Sequence, residues 1–279
     1  MSTASPTQDF IIIEPGRAEK NYWADLWRYR ELFLILAWRD VSVRYKQTII
    51  GLAWAVIRPF LTMVVFTVIF GRIASLPSGG APYALMVFAA MLPWSLFSTA
   101  VGEASNSLIG NERLISKVYF PRLIIPTATV VTAFVDFLIS FVILVGLMAY
   151  YRFIPGWNIL MLPVFILMAL LASLGPGLWI TALNVKYRDF RYVIPFLVQF
   201  GLYISPVGFS SSVIPDKWRL LYNLNPLVGV IDGFRWSILG QASPIHWPTV
   251  ALSTVVVTGL LWVGIRRFRS MEKTFADLI

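Results

Sequence analysis

Six stretches of this chain are long and apolar enough to cross a lipid bilayer, and that pattern excludes most other folds. A helix needs about 20 mostly apolar residues for the crossing. The stretches are Leu52–Phe70, Tyr83–Val101, Leu123–Tyr150, Ile159–Leu183, Val193–Phe209 and Val250–Ile265. In hydrocarbon every backbone polar group needs a partner within the protein, which favours helices. The pattern predicts an all-α integral membrane protein with six transmembrane helices, spanning residues 48–267. A weaker apolar segment, 210–240, is broken by Pro215, Pro226 and Gly233. It predicts short re-entrant helices before the last span.

Composition agrees. Charged residues make up 13% of the chain, about half the share usual in soluble domains. With 58% hydrophobic residues, disorder is excluded as well. The absence of cysteine removes disulfides, thiolate metal sites and cysteine nucleophiles. A net charge of +9 raises the question of nucleic acid, but the placement of the charges answers it differently. Six spans put both termini on one side, and that side carries 18 basic residues against 5 on the other. By the positive-inside rule both termini are cytoplasmic, and the charge needs no nucleic acid. Residues 1–21 read as a polar cytoplasmic N-terminus without the apolar core of a signal peptide.

Outside the spans lie four segments of interest. Residues 22–47 place Trp23, Leu26, Trp27, Leu34, Trp38, Val41 and Tyr45 at helical spacing among charged residues. That predicts an amphipathic interface helix, broken once, with its basic groups toward lipid headgroups. It serves as a surface anchor or as a gate whose arginines meet a phosphorylated lipid, since the guanidinium fork matches phosphate. Loop 106–121 predicts a short helix capped by Asn106 or Asn111 and ending before Pro121. Loop 184–192 carries Tyr187, Arg188 and Asp189, the last two placed to form a weak surface pair. Residues 268–279 read as a cytoplasmic tail.

Charges within spans are expensive and point to function. Asp136 sits mid-span, where it pairs with a neighbouring helix or lines a wet path. Glu103 closes the second span, and Arg58 precedes Pro59 near the end of the first, within reach of the interface by snorkelling. No phosphate loop of the form G-x-x-x-x-G-K-[ST] is present, so this chain does not hydrolyse ATP by itself. No H-E-x-x-H, no G-x-S-x-G and no clustered metal ligands occur, so neither catalytic residues nor a metal site are expected.

Four stretches resemble the transmembrane permease subunit of ABC-2 type polysaccharide exporters, the family that exports O-antigen, capsule and teichoic acid. They are LAWRDVSVRYKQTIIGLAWAVIRP (Leu36–Pro59), NERLISKVYFPRLIIP (Asn111–Pro126), LNVKYRDFRYVIPFLVQ (Leu183–Gln199) and LNPLVGVIDGFRW (Leu224–Trp236) with the tail RSMEKTFADLI (Arg269–Ile279). The resemblance implies a homodimer working with two separate ABC ATPase subunits, which bind the ATP and Mg. The implied substrate is a polysaccharide on undecaprenyl diphosphate or a related lipid. The gate helix would present Trp38, Arg39, Asp40, Arg44, Tyr45 and Lys46 to the lipid pyrophosphate. Asn111, Glu112, Arg113, Leu114, Lys117, Tyr119, Phe120 and Pro121, with Tyr187, Arg188 and Asp189, would couple to the ATPase. Asn225 and Pro226 would lie at the outer gate. Two alternatives stay open: an ABC-2 exporter of a small lipid or drug, and an ATPase-independent flippase of lipid-linked glycan.

Overall fold

The computed structural model describes residues 22–46 and 51–275. The expected polar segment 1–21, residues 47–50 leading into the first span, and residues 276–279 of the tail lie outside them. Among the described residues every regular element is helical. In chain order they are α1 (Tyr22–Arg28), α2 (Arg30–Lys46), α3 (Gly51–Phe66), α4 (Tyr83–Gly110), α5 (Glu112–Lys117), α6 (Ile124–Tyr150), α7 (Leu162–Lys186), α8 (Phe190–Ile204), α9 (Asp216–Tyr222), α10 (Pro226–Leu239) and α11 (Trp247–Glu272). A π-helical turn, Thr67–Ile73, continues α3, and a 3-10 turn, Trp157–Met161, leads into α7.

Among the described residues, five helical stretches are long and apolar enough to cross a membrane: Val56–Ile73, Tyr83–Gly110, Ile124–Tyr150, Trp157–Lys186 and Trp247–Glu272. The sixth expected span is shorter. Helix α8 has 15 residues, a length of about 22 Å at 1.5 Å per residue. The hydrocarbon core is about 30 Å thick. The helix stops at Ile204 rather than Phe209 because Pro206 follows: a residue before proline is driven out of the helical region, and Ser205 is extended (φ −80°, ψ 152°). Two other spans overrun their expected ends. Helix α4 passes Val101 and runs to Gly110, and α11 passes Ile265 to Glu272. Hydropathy marks where a helix leaves hydrocarbon, whereas the helix itself continues into polar residues.

The centre of the bundle is α4. Protein encloses 78% of its apolar window, against 39% for the next most enclosed span. It packs on α6, α7 and α10. Between α7 and α11 the backbones nearly touch: a Cβ on Gly175 would lie 2.7 Å from the Leu260 carbonyl carbon, and one on Gly264 would meet the backbone of Gly175. Small residues at such crossings let helices approach where no water drives them together.

The short helices expected within 210–240 are α9 and α10. Pro226 occupies the first turn of α10, and the Asn225 side chain accepts from Leu227 N at 3.0 Å, a helix cap. Most of α10 is buried, enclosed by α4, α7 and α11. Its Arg235, counted in the sequence among the outer loop charges, is fully buried instead. The guanidinium donates to Met86 O (3.1 Å), Phe209 O (2.8 Å) and Val207 O (2.8 Å). Two of those carbonyls belong to the turn that Pro206 creates, where no helix uses them.

The amphipathic helix divides at Tyr29 into α1 and α2, and α2 lies on α6. The expected single apolar stripe is absent. Leu36 and Ala37 are buried, while Leu34, Ile35, Trp38 and Val43 point away from the protein. The described part of the expected tail, 268–275, is packed: Phe268 and Phe275 are fully buried in a second core beneath α1, α2 and the start of α6.

Two substitutions test this packing. Gly264→Leu forces α7 and α11 apart and is expected to cost about 1–3 kcal/mol. Arg235→Met strips three carbonyls of their donor and is expected to cost about 3 kcal/mol or more, at about 1–3 per unsatisfied group. Thermal melting of the detergent-solubilised chain reads both; unchanged midpoints would contradict the packing described.

Candidate functional site

Near the end of the bundle that carries Gly110, α2 is tied to two spans by charge. Arg44 bridges Glu103 of α4 and Asp136 of α6, the latter at 2.6 Å. Tyr45, one residue on, donates to the other oxygen of Asp136. Burial works against the Arg44 charge, but the carboxylates of Glu103 and then Asp136 outweigh it and raise its pKa. Burial, then the bond to Asp136, pushes the Tyr45 phenol above its ordinary value, so it stays the donor. Arg44 and Tyr45 therefore reach inward to α4 and α6, whereas the family resemblance implies a lipid pyrophosphate as their partner. Asp136 has the neighbouring partner that one reading foresaw.

The other gate residues separate from this pair. Arg39 makes a 2.7 Å pair with Asp40 and a 2.9 Å hydrogen bond to the Asn111 side chain. Trp38 is 69% exposed, and Lys46 is exposed at the end of α2. Trp38, Arg39 and Lys46 are the exposed members of the six, and Asp40, Arg44 and Tyr45 are half-buried.

Asp136 also lines a cavity of about 440 Å³ between α3, α4 and α6. Arg58 borders it and lies 5.9 Å from the Trp54 ring, so it faces this space from the first span. Along α4, Ser95, Ser98, Thr99, Gly102 and Glu103 are partly open and Asn106 is exposed, with Phe97 and Ile109 partly open beside them. The polar and small residues among these recur at helical spacing and form one stripe on the helix. Cavity residues from α3 and α6 wall one side of that stripe, and residues of α8, including Gln199, wall the other.

At the same end, α5 supplies the expected short helix. Asn106 lies inside α4, and Asn111 stands at the cap position without capping: its amide donates to Ser107 O at 2.8 Å while its oxygen accepts from Arg39. Of the expected coupling residues, Glu112, Arg113, Lys117 and Tyr119 are exposed, and Leu114 is half-buried. Phe120 and Pro121 are buried and anchor α5 to the second core. Tyr187, Arg188 and Asp189 are exposed between α7 and α8, and Arg188 and Asp189 make no ion pair with each other. The ends of α4 and α7 are locked by Thr181 donating to Ala104 O and Asn184 to Ser105 O, both at 2.8 Å. Both exposed segments therefore share one end of the bundle.

One knot at this end escaped the sequence reading. Glu272 accepts from the backbone N–H of Arg122 at 2.8 Å, and its carbonyl accepts from the Arg122 guanidinium. The Tyr22 hydroxyl reaches the same carboxylate at 3.4 Å, and Arg269 stacks 4.4 Å over the Tyr22 ring. These residues are separated by most of the chain, so no local pattern announces them.

The ABC-2 type transporter family model matches residues 31–239, from the start of α2 to the end of α10. The O-antigen export system permease protein RfbA of Myxococcus xanthus is 30% identical over 257 residues, 91% of this chain and 98% of the relative. A protein of the same name from Klebsiella pneumoniae is 23% identical over 89% of this chain and 95% of its own length. The inner membrane transport permease YadH of Escherichia coli is 25% identical over 77% of this chain and 88% of its own. The match runs through α2, the central span, the exposed loops and α9 and α10: the chain belongs to the ABC-2 type transporter family.

Proposed function

We propose that this chain is the permease subunit of an ATP-driven exporter that moves lipid-linked polysaccharide, such as O-antigen on undecaprenyl diphosphate, across the inner membrane. The observation that carries the reading is the near end-to-end relationship to O-antigen export permeases. The basic residues support an orientation with both termini in the cytoplasm. Without a phosphate loop of its own, the chain draws its force from a separate ABC ATPase. Two copies of the chain and two ATPase subunits form the working unit. A second copy would cover the polar stripe of α4, which one chain leaves partly open.

The mechanism uses the exposed end of the bundle. ATP binding closes the ATPase pair against α5 and the loop 187–189. Since Phe120 and Pro121 seat the end of α5 in the core, its motion passes to α6. Helix α6 holds Asp136, and Asp136 holds Arg44 of α2. Movement of α6 therefore reaches the gate helix through an ion pair, and the substrate enters beside α2.

Deleting the gene and extracting the cytoplasmic membrane tests the reading directly. Undecaprenyl-linked polymer should accumulate inside while the surface glycan disappears. A normal surface glycan with no trapped intermediate, in cells without a second exporter, would shift the reading to a small lipid or drug. The gate is tested by Arg39→Glu and Arg44→Glu together. Export should fail while the ATPase still co-purifies, because the second change sets a third carboxylate against Glu103 and Asp136. Normal export by the double variant would remove the gate role.

A further inference from the structure

The cavity between α3, α4 and α6 is charge-balanced. Two guanidiniums, Arg44 and Arg58, stand against two carboxylates, Asp136 on the wall and Glu103 behind Arg44. A phosphate entering here would gain Arg58 but face Asp136, a like charge on the same wall. Arg44 has little left to offer an anion, since both carboxylates already claim it. The other lining groups are neutral. Ser98 donates to Ser95 O at 3.1 Å, and Thr62 donates to Arg58 O at 2.9 Å. With those protons held by their own helices, the oxygens are left as acceptors. The indoles of Trp54 and Trp94 complete the wall. The volume, about 440 Å³, falls within the roughly 300–1,000 Å³ usual for small-ligand sites.

We propose that this cavity is a saccharide subsite, holding the first sugar of the exported glycan beside its phosphate rather than the phosphate itself. The inference rests on the polysaccharide reading above and adds where the sugar is recognised. A sugar ring matches the wall group by group. Its hydroxyls donate to Asp136 and to the Ser98 and Thr62 oxygens, and its oxygens accept from Arg58. Its C–H-rich face, slightly positive, lies against the negative face of an indole. A neutral polyol leaves the charge balance undisturbed, whereas a phosphate would break it. A wall built to hydrogen-bond hydroxyls also discriminates strongly against a ligand that lacks them.

The test is native mass spectrometry of the full-length chain in nanodiscs with two probes. One is bare undecaprenyl diphosphate; the other is the same carrier bearing the glycan of the source cell. The wild-type chain should retain the glycan-bearing form about tenfold more tightly, a difference of about 1.4 kcal/mol. Ser98→Leu fills the cavity without changing a charge, and Trp54→Leu removes one ring. Both variants should lose the preference and keep their affinity for the bare carrier, which also reports that they are folded. Equal weakening of both probes would make this a phosphate or tail site and overturn the proposal. So would a preference that survives in both variants. A wild-type chain without the preference, in cells whose deletion still traps polymer, overturns the saccharide site and leaves the export reading standing. Binding of neither probe by the wild type overturns both.

Discussion

In hydrocarbon a backbone carbonyl has no water to turn to, and the Tyr83 end of this bundle is built around that constraint. Helix α8 is too short to cross on its own, and Pro206 makes the break unavoidable. The carbonyls of the following turn would be stranded at depth without a donor from elsewhere. Arg235 supplies it from α10, a helix with its own cap at Asn225 and almost no exposed surface. A guanidinium has five N–H groups in a fixed plane, enough to serve three acceptors at once. The short span, the broken turn and the buried helix α10 are one solution rather than three features.

The Gly110 end obeys a different rule. There charges are abundant and are used to fasten α2, a helix that lies against the bundle rather than within it. Apolar packing alone would hold α2 poorly, because lipid is as good a solvent for its Trp38 and Leu34 as the protein is. The Arg44 bridge supplies direction: it fixes the register of α2 on both α4 and α6. Such a tie is also breakable, because the pair is only partly shielded (Arg44 side chain 35% exposed, Asp136 15%).

Much of this was legible in the residues. Six apolar stretches led to the all-α membrane architecture because the bilayer imposes their length, and Asn111, Pro215 and Pro226 marked the short helices at 112–117 and within 210–240, whereas the one expected break in the interface helix falls at Tyr29 without a turn residue to mark it. What hydropathy misjudged were helix ends, at Val101, Ile265 and Phe209. The first two helices outrun the hydrocarbon, and the third yields early to Pro206. Burial of Phe120, Phe268 and Phe275 was missed, since a phenylalanine facing lipid and one facing protein look alike in a sequence. Asp136 was recognised as exceptional, but its partner lies on a helix remote in the chain. Arg235 was counted as a loop charge, although Asp232 one turn earlier in an apolar segment was a visible sign that both are enclosed.

The knot at Glu272 has a consequence for how the chain can be handled by its surroundings. Three distant parts, the first helix, the corner before α6 and the end of the last helix, meet at one carboxylate and its own carbonyl. The fold is thereby closed into a loop without a covalent link, and both extremities of the described chain are fastened to the element that follows α5. Pulling on either extremity, or displacing α5, loads the same joint. The first and last helices of the described chain are thus joined at the same corner that leads from α5 into α6.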